Sequence, residues 1–149
     1  MGMYTEIHFN SKMKEDLPES VVAILLAMCD GQGVEGITLP DHAFFRSTRW
    51  AYLCRTDSYY FDADTHSTFR FDEISDAHFL CIRSNLKNYD DEITLFLDWI
   101  YPYLDKMEDD FLGFYRYEES EAPTLIYYGR LGIETARTEN LERSPLDAE

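Results

Sequence analysis

Between Asp90 and Glu121 the chain carries eleven acidic side chains (Asp90, Asp91, Glu92, Asp98, Asp105, Glu108, Asp109, Asp110, Glu118, Glu119 and Glu121) against Lys106 and Arg116. The same stretch holds Phe96, Trp99, Tyr101, Tyr103, Phe111, Phe114, Tyr115 and Tyr117. This mixture constrains the fold more than any other feature. Acidic segments that stay unfolded do so for want of apolar surface to bury, and this one has plenty. The charge therefore sits on something that folds, and a fixed anionic face is expected. Such a face points to a partner rather than to a reaction.

With 149 residues, 45% of them hydrophobic, the chain suits one domain with a core that needs no staples. The net charge of −16 is unevenly placed. Residues 1–56 hold five basic and seven acidic side chains, and residues 57–149 hold eight and 22. Direct nucleic-acid binding requires cationic groups that displace phosphate counterions, so the balance argues against it. It argues equally against an anionic membrane surface. The longest apolar run, Val21 to Cys29, is nine residues, against the roughly 20 of a spanning helix. The N-terminus lacks the cationic start and apolar run of a signal peptide. Cys29, Cys54 and Cys81 are odd in number, widely spaced and set among apolar neighbours. They read as buried free thiols in a reducing compartment, which gives a cytoplasmic expectation.

Local signals give an element order. Tyr4–Phe9 reads as a first strand. Asp16-Leu-Pro-Glu19 reads as a helix start with Asp16 capping, and the helix runs to about Cys29 and stops at Gly31. Four strand-like segments follow: Trp50–Arg55, Ser58–Phe61, Ser67–Phe71 and His78–Ser84. Asn88 offers a second cap, with Asp90, Asp91 and Glu92 in the first turn, where the helix dipole favours anions. Ile93, Phe96, Leu97, Ile100 and Leu104 mark the buried stripe of that helix, and Pro102 ends or kinks it. Phe111–Tyr117 and Thr124–Tyr128 form a terminal hairpin. The expected architecture is α+β, a mostly antiparallel sheet with two helices packed on one face. It spans residues 1–131, and residues 132–149 are expected to be a flexible acidic C-terminal tail.

Two patterns invite a chemical reading. Asp62-Ala-Asp64-Thr-His66 alternates two carboxylates and an imidazole, and Glu73 falls where a calcium loop has its last ligand. Ser67 stands where that loop needs glycine, and the flanks read as strands, so a polar turn and no bound metal are expected. Asp41-His42 could orient a general base, but no nucleophile motif accompanies it. Gly31-Gln-Gly33 follows a helix, whereas a phosphate loop precedes one. No cofactor is implied. Arg46, Arg49, Trp50 and Arg55 form a basic, aromatic cluster expected to pair with the acidic half rather than to stack on nucleobases.

Asp98, Asp105, Glu108, Asp109, Asp110, Glu118, Glu119 and Glu121 have no local role visible in the sequence, and they are the expected partner-binding residues. Carboxylates on a rigid scaffold can imitate a phosphate backbone and occupy a partner's basic channel.

Several segments occur together in a recognisable order: Met3-Tyr-Thr-Glu-Ile7, Leu39-Pro-Asp-His42 with Phe44-Phe45, Ser58-Tyr-Tyr-Phe61, Leu86-Lys-Asn-Tyr-Asp90, Phe96-Leu-Asp-Trp-Ile100, and Arg116-Tyr-Glu-Glu119 with Pro123-Thr-Leu-Ile-Tyr-Tyr128. Over about residues 3–128 the chain resembles a family of small uncharacterised proteins of bacteriophages and prophages. The resemblance implies no activity. It implies a phage context, in which small acidic proteins bind host machinery. The functional expectation is a non-enzymatic inhibitor of a host nucleic-acid-handling defence complex, of the anti-CRISPR or anti-restriction type. Its partner is a host protein with a basic nucleic-acid-binding surface, met in the cytoplasm of the bacterial host. The rivals are an immunity protein fitted to one toxin, which an adjoining toxin gene would favour, and a small enzyme. The enzyme would be built on Asp41 and His42 or on Asp62, Asp64 and His66, and would need a pocket that joins them.

Overall fold

A computed structural model of the chain describes residues 3–58, 61 and 64–138. Strand β1 (Thr5–Lys12) is followed by helix α1 (Glu19–Asp30), strands β2 (Thr68–Asp72) and β3 (Ala77–Leu86), helix α2 (Glu92–Ile100), and strands β4 (Phe111–Tyr117), β5 (Thr124–Tyr128) and β6 (Ile133–Arg137). The six strands form one antiparallel sheet in the order β2-β3-β1-β4-β5-β6. The α+β architecture is as expected from the sequence.

Side chains alternate across each strand, so the pairing register sorts them into two faces. Ile7 and Phe9 of β1 lie opposite Ser84 and Ile82 of β3, and all four are buried. Both helices pack on this face. Val21, Ile24, Leu25 and Met28 of α1 and Ile93, Phe96, Leu97 and Ile100 of α2 are buried in one core with it. Phe9 meets Phe96 edge-on at 6.0 Å between centroids. Among the described residues the opposite face carries no helix, and it displays Glu6, His8, Asn10 and Lys12 of β1 beside Asn85, Arg83, Cys81 and Phe79 of β3.

α1 begins later than its capping signal suggests. Pro18 is the N-cap residue, and its carbonyl accepts from Val21 N at 3.0 Å and Val22 N at 3.1 Å. A residue before proline is driven to extended backbone, so the helix cannot run back through Leu17, and Asp16 is left exposed in a turn. At the other end Gly31 takes the left-handed conformation and its N–H bonds Ala27 O at 2.8 Å. Asn88 is not the N-cap residue of α2, which is Asp91, but from three residues before it its Oδ1 accepts from Ile93 N at 3.0 Å. Only Glu92 of the three acids lies in the first turn of α2, because Asp91 is left-handed at the N-cap position.

Trp50–Arg55 is not a strand. Thr48–Tyr52 is a 3-10 helix, started by Ser47, whose Oγ accepts from Arg49 N at 3.2 Å. Trp50, Ala51, Leu53 and Cys54 are buried while Tyr52 is 52% exposed, a helical rather than an alternating pattern. With Phe44 and Phe45 of the preceding 3-10 segment, Trp50 packs toward α2, and Phe45 meets Trp99 at 4.9 Å. The expected strand Ser58–Phe61 and the ligand Asp62 fall partly or wholly outside the described residues.

The sheet also extends past the expected domain end. β6 pairs with β5 along its length, Tyr128 opposite Ile133 and Thr124 opposite Arg137, so a tail beginning at residue 132 is corrected. A tight turn, closed by Gly129 N donating to Gly132 O at 2.9 Å, lets a strand with one large apolar residue add to the sheet through backbone bonds. Residues 139–149 lie outside the described part.

Candidate functional site

Antiparallel pairing collects the loops at two ends of the sheet. One end holds the β2–β3 turn (residues 73–76), the loop before β4 (residues 105–110) and the β5–β6 turn (residues 129–132). The other holds the start of β1, the end of β3 and the β4–β5 turn. β4 runs between them, about 20 Å for its six residue steps.

At the first end each loop raises one large apolar side chain into solvent. Ile74 is 97% exposed, Met107 76% and Leu131 95%. Phe111, half exposed, adds an aromatic edge at 5.6 Å from Tyr127. Carboxylates stand among these tips: Asp72, Glu73 and Asp76 on the first loop, Asp105, Glu108, Asp109 and Asp110 on the second, and Glu134 just after the third. Lys12, Lys14, Arg70, Lys106 and Arg130 are among the cations toward this end.

The two loops beside β4 are tied into one unit. Asp109 N donates to Tyr128 O at 2.8 Å, and Tyr128 N to Asp110 O at 2.9 Å. Tyr101 stacks on Tyr128 at 4.7 Å, and its hydroxyl donates to Gly129 O at 2.6 Å. Desolvation holds the Tyr101 pKa above its ordinary value, with help from Tyr128 and from the charges of Glu134 and Glu108. Within the loop, Asp110 Oδ2 accepts from Met107 N at 2.9 Å, and Asp109 adopts the left-handed conformation with φ 72°. In the β2–β3 turn, Asp72 Oδ2 accepts from Ser75 Oγ at 2.7 Å and Ser75 N at 3.3 Å. Those hydroxyl and amide bonds hold the Asp72 pKa below its ordinary value.

The eight expected partner-binding carboxylates do not form one face. Asp105, Glu108, Asp109 and Asp110 lie at the first end, and Glu118, Glu119 and Glu121 at the second. Asp98 is on α2, where it accepts from His42 Nε2 at 2.9 Å. Several have local roles that the sequence does not display. Glu118 accepts from the backbone N–H of Tyr4 and so closes the start of β1. Asp105 lies 3.6 Å from Lys12 Nζ, and Asp110 shapes its own loop. At the second end, desolvation and the charges of Glu119 and Glu118 hold the Tyr117 pKa above its ordinary value. The half-exposed Tyr89 joins Tyr4 and Tyr117 at this end. Ile74, Met107, Leu131 and Glu134 escape the sequence reading, since a single apolar residue in a polar turn carries no periodic signal.

The Asp41–His42 candidate is not assembled, and Asp62 of the second candidate lies outside the described residues. His42 is bonded to Asp98 rather than Asp41, and its Nδ1 accepts from Phe44 N at 3.0 Å. That acceptance puts the ring proton on Nε2, where it is donated to Asp98, so neither nitrogen has a lone pair free to act as a base. Asp41 is exposed, 4.0 Å from Arg46. His66 N donates to Arg83 O at 2.7 Å and Asp64 O accepts from the Arg83 side-chain Nε at 2.7 Å, so both residues are tied to Arg83 of β3. Among the described residues no group of three His, Cys, Asp or Glu side chains could hold a metal ion. Two open clefts of about 360 and 260 Å³ flank the start of α2, and neither is lined by Asp41, His42, Asp64 or His66.

The basic cluster acts within the fold. Arg49 pairs with Asp90 and, at 2.5 Å, with the buried Glu92, pinning the 3-10 helix to the start of α2. Arg55 lies over the Tyr52 ring at 5.1 Å. On the uncovered sheet face Arg116 forks onto Glu6 with 2.9 and 2.7 Å contacts, and Glu6 also meets His8 at 3.0 Å. Among the described residues no helix is long and apolar enough to cross a membrane. Comparisons with protein-family models, with curated proteins and with solved structures found no match.

Proposed function

We propose that this chain is a non-catalytic, phage-derived binding protein that docks the end carrying Ile74, Met107 and Leu131 onto a basic, nucleic-acid-handling surface of a host defence complex. One observation carries the reading: three solvent-facing apolar tips stand among carboxylates at one end of a rigid sheet. Interfaces use this combination, apolar anchors that desolvate and a charged rim that steers. A continuous imitation of a phosphate backbone fits the geometry less well, since β4 separates the two acidic groups by about 20 Å. The net charge of −16 opposes direct contact with DNA or RNA, so the protein competes with the nucleic acid for its partner.

The test uses a partner recovered from host lysate, purified, and assayed for its own nucleic-acid binding. The chain should compete with that nucleic acid and bind neither DNA nor RNA alone. Neutralising the rim with Glu73→Gln, Glu108→Gln and Asp109→Asn should slow association and flatten its salt dependence while the fold persists, because rim charge acts mainly on the on-rate. Asparagine tolerates the left-handed backbone of position 109. An unchanged association rate at low salt, or binding that leaves the partner's nucleic-acid site free, would contradict the proposal.

A further inference from the structure

The uncovered face of the sheet carries a row whose charge runs against that of the whole chain. Arg70 of β2 lies opposite Phe79 of β3, and Phe79 lies opposite Lys12 of β1, so the three stand side by side on neighbouring strands. Strand spacing sets Arg70 and Lys12 about 10 Å apart, with the aromatic residue between them. The Arg70 guanidinium lies over the Phe79 ring, 5.7 Å from its centroid, within cation–π reach. Asp105 N donates to Lys12 O at 2.9 Å, and this bond brings the next residue, Lys106, to the same place. Lys12, Phe79 and Lys106 line one open cleft of about 280 Å³ with Asn10 and Cys81, and among the described residues its lining includes no carboxylate. Lys12 lies 3.6 Å from Asp105, whereas Arg70 and Lys106 make no ion pair among the described residues. The row also borders the docking end. Lys106 precedes the exposed Met107, and Arg70 stands on the strand that leads into the Ile74 turn.

We infer that this row is a second contact of the docked complex and takes an acidic protein segment, a short loop whose carboxylates border the partner's basic surface. The contact presupposes the docking reading and fixes the orientation in which the end is presented. Carboxylates at the tips meet the partner's cations, while Arg70, Lys12 and Lys106 meet its carboxylates. Complementary charge sets register as well as rate, because a reversed approach would put like charges together. Arg70 is exposed and Lys106 half-buried, and neither gives up an internal ion pair to bind. The half-buried Phe79 ring between the cations gives the segment an apolar floor. A nucleic-acid strand suits the row less well. Its phosphates would continue past three cations toward Asp72 and Asp105, the carboxylates beside Arg70 and Lys12, whereas a short acidic loop ends within the row.

The test is carbodiimide cross-linking of the full chain in complex with the partner recovered for the docking assay, followed by peptide mapping. The reagent joins amines to carboxylates. Tip carboxylates coupled to partner lysines report docking, and Lys12 or Lys106 coupled to a partner aspartate or glutamate reports the row; both are expected. Arg70→Glu with Lys106→Glu should slow association at low salt by at least about threefold, although a partner offering only a basic surface would draw the more acidic chain faster. Should that variant fold poorly, Arg70→Gln with Lys106→Gln replaces it, with a smaller slowing expected. Free hexaglutamate, the probe for the segment, should move the NMR signals of Phe79 and Lys106 at low salt, and less so in Lys106→Gln. Hexathymidylate should move them less than hexaglutamate does. Tip links without any link from Lys12 or Lys106 would leave docking standing and overturn the row. Faster association of the Glu variant, or a stronger response to hexathymidylate, would overturn it as well. The absence of both kinds of link would overturn docking, and the hexaglutamate titration would then decide the row by itself.

Discussion

The two ends of β4 have similar charge and different surfaces. Glu118, Glu119 and Glu121 stand at one, and Asp105, Glu108, Asp109 and Asp110 at the other. At the Glu118 end the neighbouring large side chains are tyrosines that are half-buried or half-exposed, and one carboxylate is spent on the Tyr4 backbone. At the Asp105 end Met107 and Leu131 stand in solvent, joined by Ile74 from the β2–β3 turn. Scattered exposed apolar residues are ordinary, but three loop tips at one end, with carboxylates between them, are a surface to which a partner can bind. The difference teaches that acid content alone does not mark a site. What surrounds the carboxylates, and whether the backbone already uses them, decides.

The largest expected effect lies between the ends. Gly113 has φ 147°, and a Cβ there would stand 1.9 Å from the carbonyl oxygen of His8 in the paired strand. Gly113→Ala should part β4 from β1 and cost more than about 4 kcal/mol, or prevent folding, as read by chemical denaturation. A loss under about 1 kcal/mol would mean that β4 is not the rigid spacer holding the ends apart.

A smaller effect separates the carboxylates of one turn. Glu118→Gln removes the charge that meets the Tyr4 N–H and should cost about 1 kcal/mol, the half-buried setting weakening a charge-assisted bond. Glu119→Gln should stay within about 0.5 kcal/mol. Equal losses in paired urea titrations would erase the distinction between used and unused acids.

Much of the fold was legible because it rests on local rules. Asn88 before an apolar stripe, Gly31 after another, and the aromatic-rich run Phe111–Tyr117 each announce an element that the structure contains. The failures share a cause. Trp50–Arg55 has strand-like composition, yet Ser47 starts a 3-10 helix and the core takes Trp50, Ala51, Leu53 and Cys54 together. β6 has too few apolar residues to announce itself, because its backbone bonds to β5 place it. The site was half legible. The acids of residues 105–110 are plain in the sequence, but their neighbourhood with Leu131, and the shared end with Ile74, depends on strand order, which no local pattern encodes.

The smallest effect sharpens the β2–β3 turn that carries Ile74. Asp72 is ionised more readily when folded than unfolded, so it stabilises the fold above its unfolded pKa. That contribution fades as pH falls through its lower folded pKa. Ser75→Ala should move the Asp72 titration upward, toward the ordinary aspartate value, and weaken the stability difference between neutral and acid pH. Carboxyl NMR titration checks this, and an unmoved Asp72 would show that Ser75 does not hold the turn.

The most direct measurement compares partner affinity for two variants, one at each end. Ile74→Ser, Met107→Ser and Leu131→Ser together should leave the melting temperature within a few degrees, since all three side chains stand in solvent. They should weaken binding by at least about tenfold, roughly 1.4 kcal/mol. Glu119→Gln with Glu121→Gln should bind like the parent. Full affinity in the triple variant, or a tenfold loss confined to the Glu119 and Glu121 variant, would contradict the account.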